Sequence, residues 1–200
     1  MGNSPKILVA ILEQGWIRPE LGAWANVWSK QATVRTFNAK PSERNRNETV
    51  KAMLDGGYDY LLTIDHDVVP KRNPLDLVEL DLDIVCAAVP QWNMSDPNFP
   101  IYFVAMDRVD GGYKEHKDRN GLQEIDAAGS GCLLIARRVL EKIKAPFVRQ
   151  WDEDGIDTLG LDFYFSEKAK AAGFKIWCHY DYIADHIKEI SLLEVYRLIK

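Results

Sequence analysis

Continuous apolar runs alternate with helically spaced apolar residues through roughly the first 90 positions of the chain. Residues 6–12 (KILVAIL) are a near-continuous Ile, Leu and Val run, which suits a strand buried on both faces. Pro19 takes the first-turn position of a helix, and Leu21, Trp24, Ala25 and Trp28 follow at helical spacing. Residues 32–37 (ATVRTF) predict a second strand. Residues 45–54 predict a second helix, with Asn45 and Glu48 in capping-box spacing and Gly56-Gly57 as its stop. Residues 58–64 form a third predicted strand, 74–80 a short helix and 83–89 a fourth strand. Strand and helix in strict alternation imply a parallel α/β sheet.

The second part of the chain reads differently. Residues 101–106 and those from Tyr113 onward are β-like, split by the hairpin turn Asp110-Gly111-Gly112. Gly129-Ser130-Gly131 precedes the apolar strand 132–136, and 137–143 predict a short helix. An acidic loop spans 151–157, open to solvent or able to close over a ligand. A helix at 161–172 stops at Gly173, a last strand covers 174–178, and an amphipathic helix covers 190–199. The expectation is one compact α/β domain over residues 1–200, with a mixed, mostly parallel sheet flanked by helices. A nucleotide-binding half would take about 1–90 and an acceptor or catalytic half about 91–200.

Composition narrows the function. With 46% hydrophobic residues the chain can bury a real core. A formal charge of −5 argues against a general nucleic-acid surface, and leaves room for one anionic small ligand held by a local basic cluster. Cys86, Cys132 and Cys178 stand far apart in apolar runs, which fits buried free thiols in a reducing cytoplasm. No apolar stretch approaches the ~20 residues of a membrane span. Met1-Gly2-Asn3-Ser4-Pro5 lacks a signal-peptide pattern, so a cytoplasmic location is expected.

The chemistry concentrates at Leu61-Leu62-Thr63-Ile64-Asp65-His66-Asp67-Val68-Val69-Pro70. An apolar strand there delivers two carboxylates, one residue apart, to the carboxyl edge of a sheet, the edge at which open α/β sheets bind ligands. Hard oxygen donors at such an edge suit Mg²⁺ or Mn²⁺, ions that commonly clamp phosphates. A solvated acidic turn is the plainer alternative.

Four segments together resemble the nucleotide-sugar glycosyltransferases of the GT-A fold. Residues 58–70 resemble their Asp-x-Asp segment, and Arg46-Asn47 resembles the pair that opens the preceding helix. Residues 128–138, from Ala128-Gly129-Ser130-Gly131 onward, are similar to the Gly-rich segment lining the sugar and acceptor side. Residues 159–165, followed by 171–176, resemble the acidic helix start and its strand, and His186 falls where many members place a late metal-ligand histidine. The resemblance spans roughly residues 6–187. Two departures stand out: Leu161 replaces the first acid of the usual Glu-Asp pair, and His66 sits inside the metal motif.

The resemblance implies a nucleoside-diphosphate-sugar donor, a hydroxyl acceptor and a divalent cation, Mn²⁺ or Mg²⁺, held by Asp65, Asp67 and His186. It implies Asp162 as the general base of an inverting transfer, although a carboxylate at a helix start also serves as a plain cap. Glu13, Arg46, Asn47, His66, Trp92, Gly129, Ser130 and Gly131 would contact the nucleotide sugar. A nucleotide-sugar-binding protein without catalysis stays open, because one acid is missing beside Asp162. A nucleotidyltransferase would want a Gly-rich basic loop after the first strand, where this chain has Glu13-Gln14-Gly15-Trp16. A two-metal phosphohydrolase would want more ligands than four histidines and their acidic neighbours supply.

Overall fold

A computed structural model describes residues 4–93, 101–189 and 191–198. Met1-Gly2-Asn3 and both expected ends of the C-terminal helix, Ile190 and Ile199, lie outside them. The apolar run forms β1 (Ile7–Leu12), followed by helix α1 (Pro19–Trp28) and β2 (Thr33–Phe37). Helix α2 (Ser42–Asp55) leads to β3 (Tyr60–Asp65), and a two-residue turn to β4 (Val68–Pro70). A 3-10 helix (Pro74–Leu80) precedes β5 (Ile84–Ala88). The short β6 (Pro90–Trp92) pairs with β7 (Ile101–Phe103). Next come β8 (Ala105–Val109), β9 (Gly112–Glu115), β10 (Leu122–Ile125) and β11 (Ala127–Ala128). β12 (Cys132–Ala136), α3 (Arg137–Lys142), β13 (Gln150–Trp151) and β14 (Asp157–Leu159) follow. The chain closes with α4 (Leu161–Ala171), β15 (Ile176–His186) and α5 (Leu192–Leu198).

The central sheet runs β10-β15-β5-β12-β3-β1-β2, with β4 joined to the far end of β15. β2, β1, β3, β5 and β15 point the same way, while β12 and β10 run against them. Strands from both parts of the sequence interleave in this one sheet. The two faces follow the period of two along each strand. Leu8 and Ala10 of β1 face the core under α2, α3 and α4, with Met53, Leu140 and Phe165. Val9 and Ile11 face the core under α1 and the 3-10 helix, with Leu21, Trp28 and Leu77. The elements pack as a single α/β domain, and among the described residues no helix is long and apolar enough to cross a membrane.

Three local expectations are corrected. Helix α2 begins at Ser42, a turn before Asn45, with Pro41 at its N-cap and no side-chain cap. Asn45 instead lies inside the helix and ties down the loop after β2, accepting from Ala39 N–H (3.1 Å) and donating to the Phe37 carbonyl (2.9 Å). The acidic loop is largely a hairpin: β13 pairs with β14, and Asp152 Oδ1 accepts from the Asp154 and Ile156 amides inside the turn. The last strand runs on to His186, beyond the expected end at Cys178. It first pairs parallel with β5, then shifts register after His179 and pairs antiparallel with β4, His186 opposite Val68.

Candidate active site

Parallel strands end at one edge, so β1 delivers Leu12 and Glu13, and β3 delivers Asp65, to the same border of the sheet. β12 runs the other way and therefore starts there. Its entrance touches the end of β3 directly, with Asp65 N–H donating to the Gly131 carbonyl (3.0 Å) and Cys132 opposite Ile64. The turn at His66 is pinned by backbone bonds, His66 N–H to the Leu12 carbonyl (3.2 Å) and Arg18 N–H to the His66 carbonyl (3.0 Å). The His66 ring meets Trp16 edge-on at 4.8 Å.

The two acids of the turn diverge into different ion pairs. Asp65 accepts from Arg46 Nη2 at 3.1 Å. Asp67, only 8% exposed, takes the Lys188 ammonium on Oδ2 at 2.7 Å, and the same oxygen faces His186 Nε2 at 3.3 Å. Burial disfavours the Asp67 carboxylate, but the hydrogen bonds and charge of His186 and Lys188 outweigh it and hold its carboxyl well below the usual range. His186 Nδ1 lies 2.8 Å from the Pro90 carbonyl, which can only accept, so Nδ1 carries hydrogen. Nε2 is left to donate a proton toward Asp67 or to turn its lone pair to a cation seated beside that carboxylate.

Arg46 is the hub between Asp65 and Asp162. It is 8% exposed, and its Nε lies 3.8 Å from Asp162 Oδ1 while Nη2 holds Asp65. Desolvation opposes its charge, yet the Asp65 and Asp162 carboxylates outweigh burial and raise its pKa further. The guanidinium lies 6.0 Å from the Phe147 ring, and its buried Nη1 has no hydrogen-bond partner among the described residues. Buried donors without partners are rare, and the residue that carries this one lines both cavities of the site.

Asp162 occupies the first turn of α4, behind Gly160, which provides no side-chain cap. Its carboxylate receives Ser130 Oγ on Oδ1 (2.5 Å) and Ser130 N–H on Oδ2 (3.2 Å), and Ser130 is fully buried. Asp162 therefore reaches away from its own helix and straps it to the entrance of β12. Leu161, where the resembled family often has an acid, is buried in the core instead.

The candidate residues divide between two adjoining cavities. A cleft of about 960 Å³ is lined by Glu13, His66, Asp67 and Lys188. A smaller one of about 420 Å³ is lined by Gly129, Ser130, Gly131 and Asp162, with Tyr102 and Phe163 as aromatic walls. Ser42, Arg46, Asp65 and His186 line both and form the shared wall. Asn47 and Trp92 line neither. The Asn47 amide is spent on the Phe147 backbone, donating to its carbonyl (2.7 Å) and accepting from its N–H (3.3 Å). Trp92 sits half-buried in β6, whose Gln91 faces the smaller cavity. Asp65, Asp67 and His186 do not close into one cluster: among the described residues no three His, Cys, Asp or Glu side chains converge on one ion position. Asp67 and His186 do converge, and that pair fits a divalent cation that keeps water and phosphate oxygens as its other ligands.

Gly129 is needed for close approach. A Cβ there would stand 2.9 Å from Val104 Cβ and 3.0 Å from Cγ1. No rotamer moves a Cβ, so the backbones must part. Gly129→Ala is expected to destabilise the fold by ~1–3 kcal/mol in urea unfolding. Gly131→Ala, whose Cβ would meet Val68 at 3.4 Å and Asp65 Oδ2 at 3.6 Å, should be tolerated. Equal stability of the two variants would refute this account.

Lys188 escaped the sequence reading, because the resemblance spans roughly residues 6–187 and stops just short of it. Tyr102, Phe163 and Ser42 escaped too, since nothing in their local pattern separates a cavity wall from ordinary packing.

No protein-family profile matches the chain, and no curated protein does. Many solved structures are similar to it. One is A197 from STIV, at 22% identity with a TM-score of 0.67, over 92% of this chain and 86% of that one. Another is GalNAc-T7 with UDP, GalNAc and Mn²⁺, at 12% identity with a TM-score of 0.55, over 94% of this chain. The chain spans 45% of the length of that second protein. At these identities the likeness concerns the backbone alone, and it places the chain among α/β proteins with a GT-A-like fold.

Proposed function

We propose that the chain is a glycosyltransferase that moves a sugar from a nucleoside-diphosphate donor to an acceptor hydroxyl with inversion. One observation carries this reading: the two cavities share a wall built from Arg46, Asp65 and His186, with basic groups for an anion on one side and Asp162 on the other. The donor's diphosphate belongs in the larger cleft, near Lys188 and Arg46. The acceptor belongs in the smaller cavity, between Tyr102 and Phe163. The anomeric carbon then lies at the shared wall. Most of the donor cleft's lining falls before about residue 90, with His186 and Lys188 reaching it from the far end of the chain. The UDP, GalNAc and Mn²⁺ in the solved GalNAc-T7 complex support the same donor class.

The carboxylate of Asp162 takes the proton of the acceptor hydroxyl. The freed oxygen bonds to the anomeric carbon as the sugar–phosphate bond breaks, and that electron pair leaves on the diphosphate. Arg46 Nε stands 3.8 Å from the Asp162 carboxylate, and Ser130 fixes both of its oxygens. Asp67 and His186 would hold a divalent cation, with Asp65 the third candidate; an oxygen and imidazole set favours Mn²⁺ over Mg²⁺. When bound, it supplies positive charge opposite the leaving diphosphate. The free, buried cysteines suit a reducing cytoplasm as the working compartment.

Calorimetry with a panel of nucleoside diphosphates, with and without Mn²⁺, tests the reading. Binding of at least one diphosphate, strengthened by Mn²⁺, is expected. Absence of binding to every nucleotide under both conditions would sink it.

A further inference from the structure

Lys188 is a cation already seated in a cation site. Its ammonium lies 2.7 Å from Asp67 Oδ2, the oxygen that also faces His186 Nε2 at 3.3 Å. Asp67 is its one ion-pair partner among the described residues. The two partners differ in freedom: the Asp67 side chain is 12% exposed and the Lys188 side chain 46%. The backbone beside the lysine is fixed, because Ile187 N–H donates to the Asp67 carbonyl at 2.9 Å. A fixed root with a flexible four-carbon stem lets the head group leave while the chain stays. Arg46 on Asp65 is the opposite case, a buried side chain wedged between two carboxylates.

We propose that Lys188 is a tethered, displaceable counter-ion of the Asp67–His186 pair, which excludes a divalent cation in the unliganded chain and releases the site by moving to the donor's diphosphate. The first half rests on electrostatics alone. A divalent ion on Asp67 Oδ2 would sit within contact distance of the ammonium, and two cations on one carboxylate oxygen repel. The second half rests on the glycosyl-transfer reading: Lys188 lines the same cleft as Arg46 and Lys40, where a bound diphosphate would offer its head group a second anion. Metal and donor then bind with positive coupling, each weak alone and each strengthened by the other.

The test titrates Mn²⁺ alone, following the free-ion signal by electron paramagnetic resonance, into the parent protein, Lys188→Met and Lys188→Arg. Lys188→Met keeps the stem and removes the charge, and it should bind Mn²⁺ ~thirtyfold tighter, the size expected of one unit charge facing a divalent ion across ~4 Å of water. Lys188→Arg should match the parent. Adding a nucleoside diphosphate should tighten Mn²⁺ binding to the parent more than to Lys188→Met. Equal or weaker Mn²⁺ binding by Lys188→Met overturns the proposal. If Lys188→Met gains Mn²⁺ affinity while no nucleoside diphosphate binds any form, the counter-ion role stands and the glycosyl-transfer reading falls. If diphosphates bind with Mn²⁺ and Lys188→Met behaves as the parent, the lysine role falls alone.

Discussion

Asp162→Asn lowers glycosyl transfer ~10²–10⁴-fold while donor affinity stays within about twofold of the parent, the pattern of a lost general base. The amide keeps the shape of the carboxylate and can still accept from Ser130. It cannot take a proton from the acceptor. Asp162 lies on the smaller cavity only, away from the cleft assigned to the diphosphate, so donor contacts survive the change. The measurement is single-turnover transfer alongside calorimetry with a nucleoside diphosphate. A rival role is visible in the same contacts: Asp162 straps α4 to β12 through Ser130. If the variant loses donor affinity and stability together, Asp162 is a strap, and a nucleotide-sugar-binding protein without catalysis becomes the better description.

Phe147→Ala destabilises the chain by ~3–5 kcal/mol in urea unfolding, the range for deleting a fully buried aromatic ring. Phe147 has no exposed surface, and its ring centroid lies 4.9 Å from that of Phe165 at an interplanar angle of 31°. It belongs to the core under α2, α3 and α4, where α4 carries both Phe165 and Asp162. Asn47 clamps the Phe147 backbone at both its polar groups, so the segment cannot sink into the space left behind. The guanidinium of Arg46 would lose an aromatic neighbour. A loss below ~1 kcal/mol would mean that the core closes over the gap, against the partial relaxation usual for such sites.

Much of this architecture is legible along the chain. β1, β3 and β5 announce themselves as apolar runs too continuous for any place except the middle of a sheet. Asp65 follows from where such a run ends. The position of β12 between β3 and β5 does not follow, because an apolar run states that it is buried and never which strands flank it. The second half of β15 hides for another reason. Around Tyr180, Asp181 and Tyr182 the strand has one wet side, so its hydrophobic signal fades just where it changes partner. At the site, carboxylates and His186 are readable as chemistry, but their pairing is not. Arg46 claims Asp65 and Lys188 claims Asp67 through contacts made only in three dimensions. Asn47 shows the converse: next to a residue of the site, it spends its amide on a loop far along the chain.

β12 has a consequence for how the protein is made. β3 and β5 lie close in sequence yet never pair, because the strand between them arrives much later in the chain. Thr63 of β3 donates to the Ser130 carbonyl across a separation of 67 residues, and the site is completed at that seam. On a ribosome, facing edges of β3 and β5 wait unpaired until residues near Ala136 emerge, and open edges are what foreign strands adhere to. Long-range closure of this kind slows folding. The seam that brings Gly131 beside Asp65 thus closes only after β5 has been made, and the gap between β5 and β10 waits longer still, for β15.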